Sequence, residues 1–291
     1  MSSLCSLFGY SRQAYYQHQR SSENEALQSE LLVQEVLRIR KQQKRIGVRK
    51  LLFIMNEFIQ EHHISIGRDR FFDLLREQNL LVRKRKQRKP RTTFSCFWMH
   101  HYPNLAKDFI PTGPNQLWVS DITYIRIGDD FGYLSLITDA YSHKIVGFYL
   151  SEDLSAKGCI LALKMALKNN HGIKNLIHHS DRGSQYYSAG YIKLLEPYIK
   201  ISMTEHSDPL ENAIAERVNG ILKDELLEQR FETFSEAQRK VAVAISTYNH
   251  LRPHSSIDML TPAVAHTKSG TLKKHWKNYY SVKNGKEVTI N

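Results

Sequence analysis

The segment LIHHSDRGSQYYS (residues 176–188) decides how the chain is read. With the preceding residues it forms KNLIHHS, an almost unbroken apolar run of strand length. Such runs belong to central strands, covered on both faces. The run stops at Asp181, Arg182 and Gly183, a polar turn. A carboxylate at the end of a buried strand is either an ordinary terminus or a group displayed on a rigid edge for chemistry.

Working outward, LWVSDITYIRI (117–127) alternates and is rich in β-branched and aromatic residues, which predicts a strand. YLSLITDAYS (133–142) and HKIVGFYLSE (143–152) predict two more, with a turn expected at DDFG (129–132). The short connections imply an antiparallel meander. Ser155 is placed to cap a helix over SAKGCILALKMALKNN. Beyond residue 188 come a short helix near AGYIKLLEPY, a fifth strand at IKISMT, and a long helix from about residue 211. The order β-β-β-α-β-α-β-α predicts an α/β fold with a mixed five-stranded sheet flanked by helices.

Asp121 lies in the middle of the first of these strands, where Asp is disfavoured. If the first and fourth strands are neighbours, Asp121 and Asp181 face each other, and their repulsion calls for a cation. Oxygen donors without zinc-type Cys or His spacing favour magnesium or manganese. A third carboxylate is expected from ENAIAERVNGILKDELLE (211–228). Its apolar face is Ile214, Val218, Ile221, Leu222 and Leu226. Asn212, Glu216, Asn219 and Lys223 form a polar stripe on the other side. Next to Asp181, His178 and His179 alternate on a strand, so at least one belongs in the core. Asp129, Asp130 and Asp139 read as turn residues, and Tyr186, Tyr187 and Tyr191 as packing. TYNHLRPH (247–254) is either a DNA-facing helix end or a helix ended by Pro253.

The net charge of +12 sits mostly at one end: residues 1–100 hold 19 Lys and Arg against 9 Asp and Glu. An acidic polymer is the natural partner of such a surface. Residues 1–24 read as part of a helix-turn-helix, with Ser11 capping a helix that exposes Arg12. Residues 25–82 read as a helical DNA-binding domain whose last helix, begun by Ser65 or Gly67, is basic. Residues 83–112 form a basic arm and linker, with seven Lys and Arg between Arg83 and Arg91; Arg83, Lys84, Arg85, Lys86 and Arg88 are its candidate phosphate contacts. The mixed-sheet α/β region, over 113–271, and a tail over 272–291 complete the layout. Cys5, Cys96 and Cys159 have neither zinc nor disulfide spacing. With no apolar span or leader pattern, a cytoplasmic protein is expected.

WVSDITYI, HHSDRGSQY, ISMT, ENAIAERVNGILKDEL and YNHLRPHSSIDMLTP together resemble the downstream-frame transposases of the insertion-sequence three family. The likeness covers nearly the whole chain. It implies a ribonuclease H-like core of the retroviral-integrase type, with Asp121, Asp181 and Glu216 as the DDE triad and 34 residues between the last two. It further implies two Mg2+ or Mn2+ ions, Asp121 bridging them while Asp181 and Glu216 complete one site each. Cleavage of element ends and transfer of a 3′-hydroxyl into target DNA follow from it. Lys223, Asn212 and Asn219 are implied DNA contacts; a homo-oligomer on DNA and an upstream-frame helix-turn-helix partner or fusion are implied partners. The chain departs from the family in having Glu211 where an Asp is common, and Arg-Val-Asn after Glu216 in place of the frequent Ser-Phe-Phe. Two rival readings stand beside this one. A ribonuclease H-like nuclease shares the fold but not the N-terminal module; a DNA-binding regulator needs no triad.

The basic arm yields a first prediction. Replacing Arg83, Lys84, Arg85 and Lys86 with Ala flattens the salt dependence of DNA binding by up to about 0.9 log units per lost phosphate contact. Specific and random duplexes weaken together. A filter-binding salt titration with an unchanged slope would remove the arm from the interface.

Overall fold

The computed structural model describes residues 7, 9, 11–83, 85, 102–170, 173, 175–196, 199–205 and 212–275. The chain divides into two compact units, Met1–Arg85 and Lys86–Asn291.

In the first unit, Ser11 caps helix α1 (Arg12–Arg40) by accepting from the Ala14 N–H at 3.1 Å. No Gly or Pro interrupts α1, so it runs unbroken across the boundary expected between residues 24 and 25. Helices α2 (Val48–Ile54) and α3 (Asn56–Glu61) divide at Met55, and α4 (Arg68–Glu77) begins after Gly67. Leu32, Val36 and Ile39 of α1 join Leu51, Met55, Phe71, Leu74 and Leu75 in one core. Helix α4 corrects the reading of a basic last helix. Arg68 pairs with Asp69 at 2.7 Å, Arg70 with Glu77 at 3.3 Å, and Arg76 with Asp73, leaving the helix electrically neutral. Arg12 and Arg83 are exposed and Arg85 is partly buried; Lys84, Lys86 and Arg88 lie outside the described residues.

The second unit is built on strands β1 (Leu117–Ile127), β2 (Asp130–Asp139), β3 (Ile145–Ser151), β4 (Leu176–Ser180) and β5 (Ile199–Met203). They lie in the order β3-β2-β1-β4-β5. The first three form the antiparallel meander; β4 and β5 run parallel to β1. This is the ribonuclease H-like arrangement. The β1–β2 turn lies two residues earlier than expected, over 127–130: Gly128 and Asp129 make it, Ile127 pairs with Asp130, and Gly128 takes a φ of +54°. A glycine leading a two-residue hairpin loop supplies that backbone without a Cβ clash.

Parallel pairing requires crossovers. Helix α5 (Ala156–Asn169) supplies the one from β3 to β4, and α6 (Ala189–Leu195) the one from β4 to β5. Trp118, Ile137 and Val146 project to that side, against Cys159, Ala162, Leu163, Ala166, Tyr191 and Leu195. On the opposite face, Ile125, Leu134, Leu136 and Leu150 pack on α7 (Ala213–Ile221) and α8 (Phe234–His250). All five residues of β4 are buried, as its composition predicts.

The unit reaches further than the expected core. Within residues 102–112, the Pro103 carbonyl accepts from the Met203 N–H at 3.3 Å, and the Leu105 N–H donates to Ser202 Oγ at 2.8 Å. Near the other end, the Asp258 N–H donates to the Lys273 carbonyl at 2.8 Å. No helix among the described residues is long and apolar enough to cross a membrane.

Candidate active site

Pairing between β1 and β4 ends at Ser120 and Ser180. Asp121 and Asp181 are each the next residue, so one register places both carboxylates side by side. Neighbouring strands are about 4.8 Å apart, and residues two apart share a face. Asp121 therefore projects with Val119 and Thr123 toward α7. Asp181 turns back on its own loop, where Oδ1 accepts from the Gly183 N–H at 3.0 Å.

Helix α7 lies along β1 and grips it at three heights. Asn212 Nδ2 donates to the Ser120 carbonyl at 2.9 Å, Asn219 Nδ2 to Asp121 Oδ2 at 2.6 Å, and Lys223 Nζ to Thr123 Oγ1 at 3.2 Å. Ala215 and Ile214 seat its first turn against Leu117, Val119 and Ile177. Glu216 sits between the two asparagines on the same stripe and is exposed. The stripe thus faces the sheet at its asparagines. Asn212 and Asn219, implied DNA contacts by the resemblance, are buried at 7% and 5% exposure and hold β1 instead of facing outward. Lys223 is partly buried and reaches the carboxylate side of β1.

Burial raises the Asp121 carboxyl to about 7, and the charge of Asp181 pushes in the same direction. The hydrogen bonds from Asn219 and the Ile122 backbone oppose that rise, and Glu216 adds a further upward push. Asp181 is likewise raised, chiefly by burial. This is an acidic cluster short of positive charge. Its donors are carboxylate oxygens, and Asn219 Oδ1 is buried beside them with no hydrogen-bond partner among the described residues. Such a donor set fits a hard divalent cation. Among the described residues, no three His, Cys, Asp or Glu side chains converge as a ready-made cage, so a cation would draw the carboxylates together.

Both histidines of the opening segment are core residues. His178 Nε2 meets Ser120 Oγ at 2.8 Å and the Tyr191 hydroxyl at 2.8 Å; His179 Nδ1 meets Ser202 Oγ at 2.9 Å. Burial lowers His178 to about 3, so it backs the site as a neutral ring. Asp139 anchors a turn, accepting from the N–H groups of Asn115 and Ser142 at 2.7 and 2.8 Å.

TYNHLRPH faces inward. Asn249 clamps β3 by donating to the Ile145 carbonyl and accepting from its N–H, both at 3.0 Å. Arg252, 2% exposed, grips both oxygens of Glu225 at 2.8 Å. Sequence reasoning missed both contacts. An Asn and an Arg near a helix end, before Pro253, were the available signal.

Family models for the integrase core domain match residues 111–209 and 198–262. A 31 kDa protein of insertion element IS600 from Shigella sonnei is 36% identical over 272 residues, covering 91% of this chain and 98% of that protein. The chain belongs to the insertion-sequence transposases with an integrase-type catalytic core. The IS904 transposase of Lactococcus lactis is 36% identical over 55% of this chain and 65% of its own length. For the putative IS986/IS6110 transposase of Mycobacterium tuberculosis, identity is 31%, over 51% of this chain and 56% of that protein. Among solved structures, the HTLV-2 integrase catalytic core in complex with magnesium aligns with 54% of this chain and 99% of its own, at 18% identity and a TM-score of 0.41.

The raised Asp121 generates a pH prediction for this transposase. With a folded value near 7 against 3.8 for the free side chain, the native state holds a proton that the unfolded chain releases. The contribution of Asp121 to stability is therefore fully present below about pH 4 and is lost as pH rises toward 7, by up to about 1.4 kcal/mol per pH unit. Asp121→Asn mimics the protonated form. In chelator, the variant should equal the wild type near pH 4 and exceed it at pH 7.5 by denaturant unfolding. A constant difference across that range would contradict the raised carboxyl.

Proposed function

We propose that this transposase cleaves the ends of its insertion sequence and joins the freed 3′-hydroxyl to target DNA. Asp121, Asp181 and Glu216 serve as the catalytic, cation-holding carboxylates. The observation that supports this reading is the register: Asp121 and Asp181 follow directly on the last β1–β4 pair, and the charge of Glu216 on α7 acts on Asp121.

Phosphoryl transfer asks for an aligned nucleophile and neutralised charge rather than covalent help from the protein. A divalent cation at these carboxylates supplies Lewis-acid polarisation and lowers the pKa of the attacking water or hydroxyl. Mg2+ or Mn2+ suits the oxygen donors, and two ions are proposed from the family resemblance. Asp121, braced by Asn219, would be a ligand of such a cation. Asp181 is held by its turn through the Gly183 N–H. Glu216, exposed on α7, is free to swing toward the same centre.

Lys223 stands beside Thr123, two residues beyond Asp121 on the same face of β1. Its ammonium is placed to meet a phosphate of the transferred strand as a mobile point charge. DNA is the proposed partner, through Arg12 on helix α1, the basic arm over residues 83–112 and the carboxylate face of the core. Assembly as a homo-oligomer on DNA, with an upstream-frame partner or fusion, completes the proposal.

Asp121→Asn, Asp181→Asn and Glu216→Gln should each abolish nicking and joining in magnesium while end binding in gel shifts stays largely intact. Lys223→Ala should keep the fold, weaken end binding and slow joining. Near-normal activity of any carboxylate variant would remove that residue from the triad. Nicking without joining in the wild type would favour a plain nuclease.

A further inference from the structure

Helix α7 does not end as an α-helix. Residues Leu222–Leu226 form a π-helical turn, closed by the Leu227 N–H donating to the Leu222 carbonyl at 2.8 Å. Such turns are rare, and they recur at functional sites because they re-aim side chains. Lys223 and Glu225 both lie within this one. Lys223 reaches forward to Thr123 at 3.2 Å. Glu225 reaches the other way, to Arg252.

We propose that Arg252 is a positioning residue for Lys223: its two-pronged ion pair with Glu225 pins the π-helical turn and so fixes where the Lys223 ammonium stands over β1. The inference rests on the reading of Lys223 as a phosphate contact. Its support is a continuous frame. The end of α8 is locked to the sheet by Asn249 on Ile145 and by the Tyr248 hydroxyl on the His143 carbonyl at 3.0 Å. Arg252 follows directly, its N–H donating to the Thr247 carbonyl at 3.1 Å and its Nη1 to the Pro253 carbonyl at 3.4 Å. With its backbone and one prong of the guanidinium fixed, the remaining nitrogens hold both oxygens of Glu225 at 2.8 Å.

Stability alone does not explain the pair. A buried ion pair gains little over apolar side chains of similar volume, because desolvation offsets the attraction. A planar fork on a carboxylate does supply fixed geometry. Glu225 is two residues from Lys223, so loss of the grip lets the turn relax toward α-helical closure, one residue shorter. That change re-aims Lys223 while leaving Asp121, Asp181 and Glu216 in place. Arg252 thereby assigns part of TYNHLRPH to the catalytic centre without bringing it to the DNA.

The test is a double-mutant cycle on the full chain, with an element-end duplex as substrate. Glu225→Gln, Lys223→Ala and the pair are compared for end affinity, joining rate and thermal midpoint. A coupled loss of about tenfold in joining is expected for Glu225→Gln, with a lowered midpoint because Arg252 is left buried and unpaired. In the Lys223→Ala background the same change should cost joining almost nothing. The apolar replacement Glu225→Leu with Arg252→Met should keep the midpoint and show the same coupled loss, so the outcome does not hang on one variant. Wild-type joining by Glu225→Gln or by the apolar pair overturns the proposal. If Lys223→Ala is slow but the losses multiply independently, the coupling fails and the phosphate role of Lys223 stands. If Lys223→Ala joins at the wild-type rate, that role fails first.

Discussion

The parallel pairing of β1 with β4 is the constraint on which the active region depends. The register Ser120 with Ser180 is held by backbone hydrogen bonds between two strands buried in the sheet. A slip of one residue would turn every side chain of β4 to the other face. Trp118, His178 and Tyr191 would lose their packing, and Asp181 would no longer stand beside Asp121. Core packing and carboxylate placement are thus the same requirement. The chain tolerates two adjacent acids there because the surrounding fold is worth more than their repulsion costs.

Helix α7 adds the second layer of control. Its apolar residues bury against the sheet, while Asn212, Asn219 and Lys223 hydrogen-bond to Ser120, Asp121 and Thr123 in turn. The asparagines bring hydrogen-bond donors to an acidic cluster without adding charge. Asp121 therefore remains raised toward neutrality in the metal-free protein. A cation proposed for these carboxylates would compete with the proton for the same oxygens, which would tie its binding to pH.

Much of this was legible from residues alone. β-branched alternation marked β1 and an unbroken apolar run marked β4, because each signal is local; an Asp inside a strand singled out Asp121 as the candidate for chemistry. The meander followed from two short turns and the mixed sheet from the strand–helix order, while the adjacency of β1 and β4 stood only as a condition until the structure showed it. What lay hidden is tertiary. The π-helical turn has no sequence signature, since it is held by Arg252, 27 residues from Glu225. The stripe on α7 looked like a DNA face because helical periodicity separates polar from apolar without saying which polar residues meet a sheet. Helix α4 looked basic when its arginines alone were noticed; counting Asp69, Asp73 and Glu77 would have shown it neutral. The break placed between residues 24 and 25 had no Gly or Pro to make it, and α1 runs through.

The most direct test of the central claim is a crystal of this transposase soaked in Mn2+ and measured at the manganese absorption edge. The account predicts an anomalous peak at ligand distance from carboxylate oxygens of both Asp121 and Asp181, lost in Asp121→Asn. A fully occupied peak elsewhere, or none at concentrations that support joining, would contradict it.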